Sequence, residues 1–441
     1  MLSLEQVLAL APDQASLTAA KKLAQLKTWP LLGRNEKSFW GHCQGSGKDP
    51  YRVGIDLEAL AFKCSCPSRK FPCKHGLALY MLLSQQTGIF ESSEPPAWLS
   101  EWLNKRQQSK VKEASEAESE TPNKEAQEKR SLAREKKVQA GLQELDLWLA
   151  DLMRQGLADV PNKLKIFGEM AERLVDAQAP GLARMVLGLQ GTAFHQAEGY
   201  EHLLSKLSRI HLLSRAYQRL EHLPPTLQAD VRRFIGWTDD QKSLLTQEGL
   251  SDRWHILGQE HLMEDRLNIR RSYLKGEHTG RWALILDFAH GQQAFNQVLP
   301  VGQVFEGEVV FFSSHYPLRA LLKEGQFRAG VVMTELSGHK DFEAALLAYA
   351  EALGACPWLE HLPLLLHHVT PYQQAGKFYL KDSADHVFPL TTSYLQGWHI
   401  IASSGGESLS LLGLWDGTQL SSLAIADQDN HHPLNLLSGA T

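Results

Sequence analysis

Three cysteines and a histidine gathered into twelve residues constrain this chain more than any other feature. Cys64, Cys66, Cys73 and His75 form a C-x-C pattern, a six-residue spacer and C-x-H. Only two other cysteines occur, Cys43 and Cys356. A structural zinc ion takes four tetrahedral sulfur or nitrogen donors, and three thiolates with one imidazole meet that count. Residues i and i+2 of a strand share a face, so Cys64 and Cys66 are expected to present sulfur to one side. Pro67 then ends the strand and Pro72 restrains the approach to Cys73. Cys73 is expected at the mouth of a helix, with His75 in its first turn. A zinc with three thiolates carries about one net negative charge, which suits a helix N-terminus. Lys63, Arg69, Lys70 and Lys74 surround the cluster, and no acid lies between Phe62 and Leu83. That basic ring is expected to favour thiolates.

Spacing of this kind is not a secreted disulfide framework, and metal-bound thiolates suit a reducing compartment, so the expected location is cytoplasmic. The first residues carry acids and no positive n-region, so no signal peptide is read there. No apolar run is long enough to span a bilayer. The net charge is −5 and charged residues make up 22% of 441, so global charge does not point to nucleic acid.

The fold class expected is a multidomain α+β protein, with an N-terminal ββα zinc finger, a helical middle and a C-terminal mixed α/β domain. Residues 1–105 read as the finger with flanking helices. Phe39–Gln44 and the alternating Tyr51–Leu57 suggest a hairpin, joined by the Gly45–Pro50 turn signal. In the second strand Tyr51, Val53, Ile55 and Leu57 share one face, and Arg52, Gly54, Asp56 and Glu58 the other. Helices are expected from the Leu79, Leu82, Leu83 spacing and at Pro96–Leu99.

Residues 106–136 hold almost no large apolar side chain and read as a flexible or solvated helical linker. Residues 137–260 read as helical, with Leu142, Leu145, Leu149, Leu152 and Met153 as an apolar stripe. Residues 261–441 read as an α+β domain of unknown role. Strands are expected at Trp282–Leu286, Val309–Phe312, Gly330–Met333 and Trp398–Ile401, and a helix at Phe342–Leu353.

The C-x-C…C-x-H pattern, set on a hairpin strand and a helix start, resembles the SWIM zinc finger. The run Ala61–Gly76, with Cys43–Gly47 and Pro95–Trp98, looks especially like bacterial SWIM-domain proteins. The resemblance implies a ββα fold, Cys64, Cys66, Cys73 and His75 as zinc ligands, and contacts to DNA or to other proteins. It covers residues 37–85 strongly. The family takes its name from Swi/Snf-type ATPases and Mutator-type transposases, but this sequence shows neither the ATPase motor signatures nor a recognisable transposase constellation.

An intracellular adaptor with a protein partner, not an enzyme, is therefore expected. The alternative is a nucleic-acid-binding protein in which Arg52, Lys63, Arg69, Lys70 and Lys74 contact DNA phosphates, with Phe39, Trp40, Tyr51, Phe62 and Phe71 available to stack on bases. A hydrolase or nuclease in the C-terminal domain is the third reading. No sequence feature specifies a small-molecule substrate. Gly45–Lys48 fails as a phosphate loop on spacing. His-Glu-x-x-His is absent around His255 and His261, and Asp287 with His290 suggests at most a cleft.

Overall fold

The computed structural model describes residues 4–11, 14–45, 49–57, 61–68, 70, 72–104, 124–192, 194, 198–264, 267–291, 293, 295, 297–330, 333–426 and 431–434. Among them the chain is a mixed α/β multidomain protein. Strands and a helix form its finger, helices its middle, and sheets its C-terminal part.

The N-terminal body opens with helices α1 (Leu4–Ala9) and α2 (Gln14–Leu23). Strands β1 (Leu31–Arg34), β2 (Ser38–Cys43), β3 (Tyr51–Asp56) and β4 (Ala61–Cys64) follow as an antiparallel meander. The short β5 (Glu91–Ser92) pairs in parallel with β1. Between them runs α3 (Lys74–Gln85), in which every residue from His75 to Leu83 is buried. A helix apolar all round must be enclosed. α3 lies against α1 and α2 and against the sheet, where Phe39, Val53, Ile55 and Phe62 join its core.

The other face of the sheet is also covered. Gly33, Trp40, Gly54 and Lys63 form one cross-strand row. A Cβ on Gly33 would sit 2.6 Å from the Trp40 ring, and one on Gly54 would sit 2.5 Å from Leu99 Cδ1. The two glycines thus make room for the indole and for α4, whose helical residues 97–104 lie over the row with Leu99 fully buried. Strict alternation predicts a half-solvated β3; instead Gly54 is buried, because a helix distant in sequence closes that face.

The helical middle comprises α5 (Lys124–Gln155), α6 (Lys165–Asp176), α7 (Pro180–Leu187), α8 (Gly199–Gln218) and α9 (Pro225–Ile235) around one core. Leu142, Leu145, Leu149 and Leu152 of the expected stripe are buried, whereas Met153 is exposed. α5 includes residues 124–136 of the charged stretch; residues 105–123 lie outside the described residues.

The helical pattern ends earlier than expected. After α10 (Gln241–Leu245), strand β6 (Leu250–Glu264) begins ten residues before the predicted boundary at 260. Five consecutive residues of β6, Trp254–Gly258, are buried, and a bulge between Ile256 and Gly258 interrupts its pairing with the next strand, so the period-two signature is lost. β6, β7 (Leu267–Gly276), β8 (Trp282–His290), β9 (Gln303–Phe311) and β10 (Arg319–Ala329) close into a barrel. Neighbours run β6-β7-β8-β10-β9 and back to β6, antiparallel except for β8–β10. This is the Greek-key order of five-stranded oligonucleotide- and oligosaccharide-binding barrels. Trp254, Ile256, Leu274, Ile285, Phe305 and Val309 belong to its core.

The last body is a six-stranded sheet, ordered β13 (Val387–Thr391), β12 (Lys377–Lys381), β11 (Leu362–Gln374), β14 (Leu409–Trp415), β15 (Leu420–Ala426), β16 (His431–Pro433). One face carries α11 (Phe342–Ala355) and α12 (Tyr394–Ser404). The other packs on the barrel, where Leu365, Leu412 and Leu423 meet Leu257 and Tyr273.

One of the four expected C-terminal strands is not a strand. Trp398–Ile401 lies in α12. Ser393 caps that helix by accepting from the Gln396 N–H at 3.3 Å, and Gly405 ends it at φ 59°. A four-residue apolar run does not separate buried helix from buried strand, and these caps decide it. Of Gly330–Met333, Val331 and Val332 lie outside the described residues, and Met333 opens a 3-10 turn.

Candidate metal centre

β4 ends at Cys64, but the ladder continues by one residue. The Ser65 N–H donates to the Arg52 carbonyl at 3.0 Å, and the Arg52 N–H donates to Ser65 Oγ at 2.9 Å. Ser65 is thereby tied to β3 while Cys64 and Cys66, on either side of it, are brought to one site. Cys73 is the N-cap of α3, its sulfur accepting from the Gly76 N–H at 3.5 Å. His75 follows in the first turn.

The four donor atoms lie within 4.8 Å of one another, with Cys64 Sγ 3.8 Å from His75 Nδ1. Among the described residues this is the one such group of histidines, cysteines and acids. Cys73 and His75 are buried, and Cys64 and Cys66 are half-buried. The Tyr51 ring supports the imidazole at 4.7 Å between centroids. Gly76 admits Phe62, whose ring would lie 3.0 Å from a Cβ there.

The three sulfurs compete for charge. Hydrogen bonds from Cys64 and Cys73 hold the Cys66 thiol far below its usual range, with a smaller contribution from His75. Hydrogen bonds with Cys66 and Cys73 push Cys64 up, and burial adds to this. A divalent cation at the centre compensates all three sulfurs together, so the donor set fits zinc in number, type and spacing. Cys43 is not one of the four. It is buried in the core and its thiol is pushed up to about 11 by burial.

The basic residues are placed differently from the expected ring. Lys63 Nζ donates to the Trp98 carbonyl at 2.9 Å and lies 5.7 Å from the Trp98 ring and 5.8 Å from the Trp102 ring. Arg52 stands 6.0 Å from the same Trp98. Both clamp α4 to the outer face of the sheet. The cause is Gly54, next to Lys63 across the strands, which lets the indole approach. Lys70 and Lys74 are exposed beside the cluster, and Arg69 lies outside the described residues. Phe39, Trp40 and Phe62 are buried, Tyr51 backs His75, and Phe71 lies outside the described residues. Sequence reasoning missed Ser65, Trp98 and Trp102. The strand glycine opposite Lys63 was the available signal.

The remaining candidate groups are held in structural networks. Asp287 pairs with buried Arg270 at 2.8 Å and accepts from Gln297. His255 meets Glu277 at 2.6 Å. His367 lies between Ser410 Oγ at 2.8 Å and the Leu336 carbonyl at 2.9 Å. Cys356 is buried with Trp358 against the helical core.

A Cys3His site on a strand end and a helix start, with every coordination position filled by protein, defines a structural zinc finger. Residues 51–83 match the family profile of the SWIM zinc finger, and residues 133–235 match that of the SWIM-associated four-helix bundle domain, which ends at the last residue of α9. The chain therefore carries a SWIM zinc finger and its associated helical bundle, with Cys64, Cys66, Cys73 and His75 positioned to bind a zinc ion. No curated protein and no solved structure is significantly similar to it.

Proposed function

We propose that this protein is a zinc-stabilised cytoplasmic adaptor whose SWIM finger recruits protein partners. The observation that carries this reading is the use of Lys63 and Arg52. Two of the five cations expected to grip phosphates lie against Trp98 and Trp102 instead, leaving a finger braced by its own helix. The barrel supports it as well. Barrels of this order bind oligonucleotides on the outer face of their second and third strands, and here Tyr273, Trp282 and Leu284 of that face pack in the cluster shared with the six-stranded sheet. Four protein donors leave zinc no open position for chemistry. Among the described residues no helix is long and apolar enough to cross a membrane.

The competing reading is nucleic-acid binding through exposed Lys70 and Lys74 with Arg69. Affinity would then fall steeply with salt, and Arg69→Ala with Lys70→Ala would weaken it without loss of zinc. The deciding experiment pairs co-purification and mass spectrometry with binding of labelled single- and double-stranded DNA at low salt. The adaptor reading expects a stoichiometric protein partner lost on Cys66→Ser, and no DNA binding. Zinc-dependent DNA binding without any such partner would reverse the assignment.

A further inference from the structure

A cavity of about 780 Å³ opens between the helical middle and the barrel, far in sequence from the finger. Its helical wall comes from α6, α7 and the end of α9, and its barrel wall from β8 and the start of β10. The volume lies within the roughly 300–1,000 Å³ of small-molecule sites, which favour domain interfaces.

Two features of the lining are unusual. The first is uncovered apolar surface: Val175 is 55% exposed, Leu187 47% and Phe288 44%, and all three line this one space. The second is positive charge without a directly paired carboxylate. Arg233 also lines the cavity but is satisfied, by Asp239 at 3.0 Å, Asp230 at 3.1 Å and the Ser313 carbonyl at 2.8 Å. Arg184 and Arg319 have no carboxylate within ion-pair distance among the described residues. Arg319 stacks on Phe312 at 4.3 Å and is half-buried. Burial, and then Arg233, makes its charge costly. Of the two acids in the lining, Asp239 is paired with Arg233 and offsets only part of the Arg319 charge, and Glu172 is exposed on α6. Trp237 is a fixed wall rather than a free stacking surface. Arg134 lies 4.1 Å from its ring centroid, and its indole N–H donates to Tyr217.

We propose that this cavity binds a small organic anion, its carboxylate or phosphate between Arg184 and Arg319 and its flat apolar body against Val175, Leu187 and Phe288. A planar acid satisfies both features at once. The charged end supplies the missing counter-charge for a guanidinium already out of bulk water, and the ring removes apolar surface from water. A long polymer would need an open channel along the barrel, and a protein partner would need a flatter face.

The test is calorimetric titration of the zinc-loaded full chain with 1-naphthoate, neutral 1-naphthamide, adenosine monophosphate and inorganic phosphate. At least one of the two ring-bearing anions is expected to bind with Kd below about 1 mM. Whichever is tighter identifies carboxylate or phosphate as the preferred head. The amide and inorganic phosphate should each bind at least about tenfold more weakly. Arg319→Ala should reduce affinity about tenfold or more. Because Arg319 also packs on Phe312, Leu187→Glu at an exposed position serves as the second variant. It should weaken binding similarly with an unchanged melting temperature. The proposal is overturned if neither ring-bearing anion binds, if the amide matches the acid, or if both variants bind like the parent.

Discussion

Removal of zinc tests the energetic role of the metal centre directly. The N-terminal body has roughly 100 residues, and a domain of that size has a net stability of about 5–15 kcal/mol. Zinc in comparable small Cys/His sites contributes about 10–16 kcal/mol in apparent terms. The ion therefore supplies as much free energy as the whole body has to spare. Without it, Cys64, Cys66 and Cys73 crowd within 4.8 Å with no cation between them, and α3 loses the group that fixes its first turn. The helical middle has its own core, and the barrel and six-stranded sheet have theirs. Exchange-monitored mass spectrometry on chelated protein, or on Cys66→Ser, should show backbone amides of residues 51–85 losing protection by several orders of magnitude. Amides of α5 to α9 should keep theirs. Elemental analysis of the native protein should give about one zinc per chain. Undiminished protection of β3, β4 and α3 after proven metal loss would refute the reasoning, as would native protein carrying far less than one zinc.

Two further outcomes are expected. Gly54→Val should push α4 from the sheet, since even a Cβ there meets Leu99 at 2.5 Å and Trp98 at 3.1 Å. A cost of about 1–3 kcal/mol follows from overpacking, read by tryptophan fluorescence as exposure of Trp40 and Trp98 with zinc retained. Lys275 donates to the Gly280 carbonyl at 2.9 Å and lies 4.5 Å over Trp282, and its burial lowers its pKa to about 8. Folded lysine thus loses its proton before unfolded lysine does, so stability should rise from about pH 8 to pH 10.5, by about 3 kcal/mol in all. Urea titrations across that range should show the rise in the parent and its absence in Lys275→Met.

The metal centre was legible because chelation depends on residue type and short spacing, both written locally. Cys73 at the helix mouth and His75 in the first turn follow from the C-x-H pattern and the apolar run after it. Lys63 was not legible in the same way. Its side chain turns to Trp98, thirty-five residues on, because Gly54 on the neighbouring strand leaves space there. No window around Lys63 contains that fact. The start of the barrel was hidden by the bulge at Ile256–Gly258, and α12 by an apolar run whose helical identity rests on Ser393 and Gly405 at its ends. Long-range closure of the barrel, with β8 beside β10, leaves no periodic mark at all.

The helix over the Gly33–Trp40–Gly54 row has a practical consequence for anyone dissecting this protein. A fragment cut after α3 would contain every ligand and the whole matched finger, yet it would leave a tryptophan between two bare glycines facing water. Such a piece should self-associate or misfold however much metal is supplied. Its smallest self-sufficient version runs at least through residue 104, so the natural unit of this finger is set by an indole and its lid as much as by its cysteines.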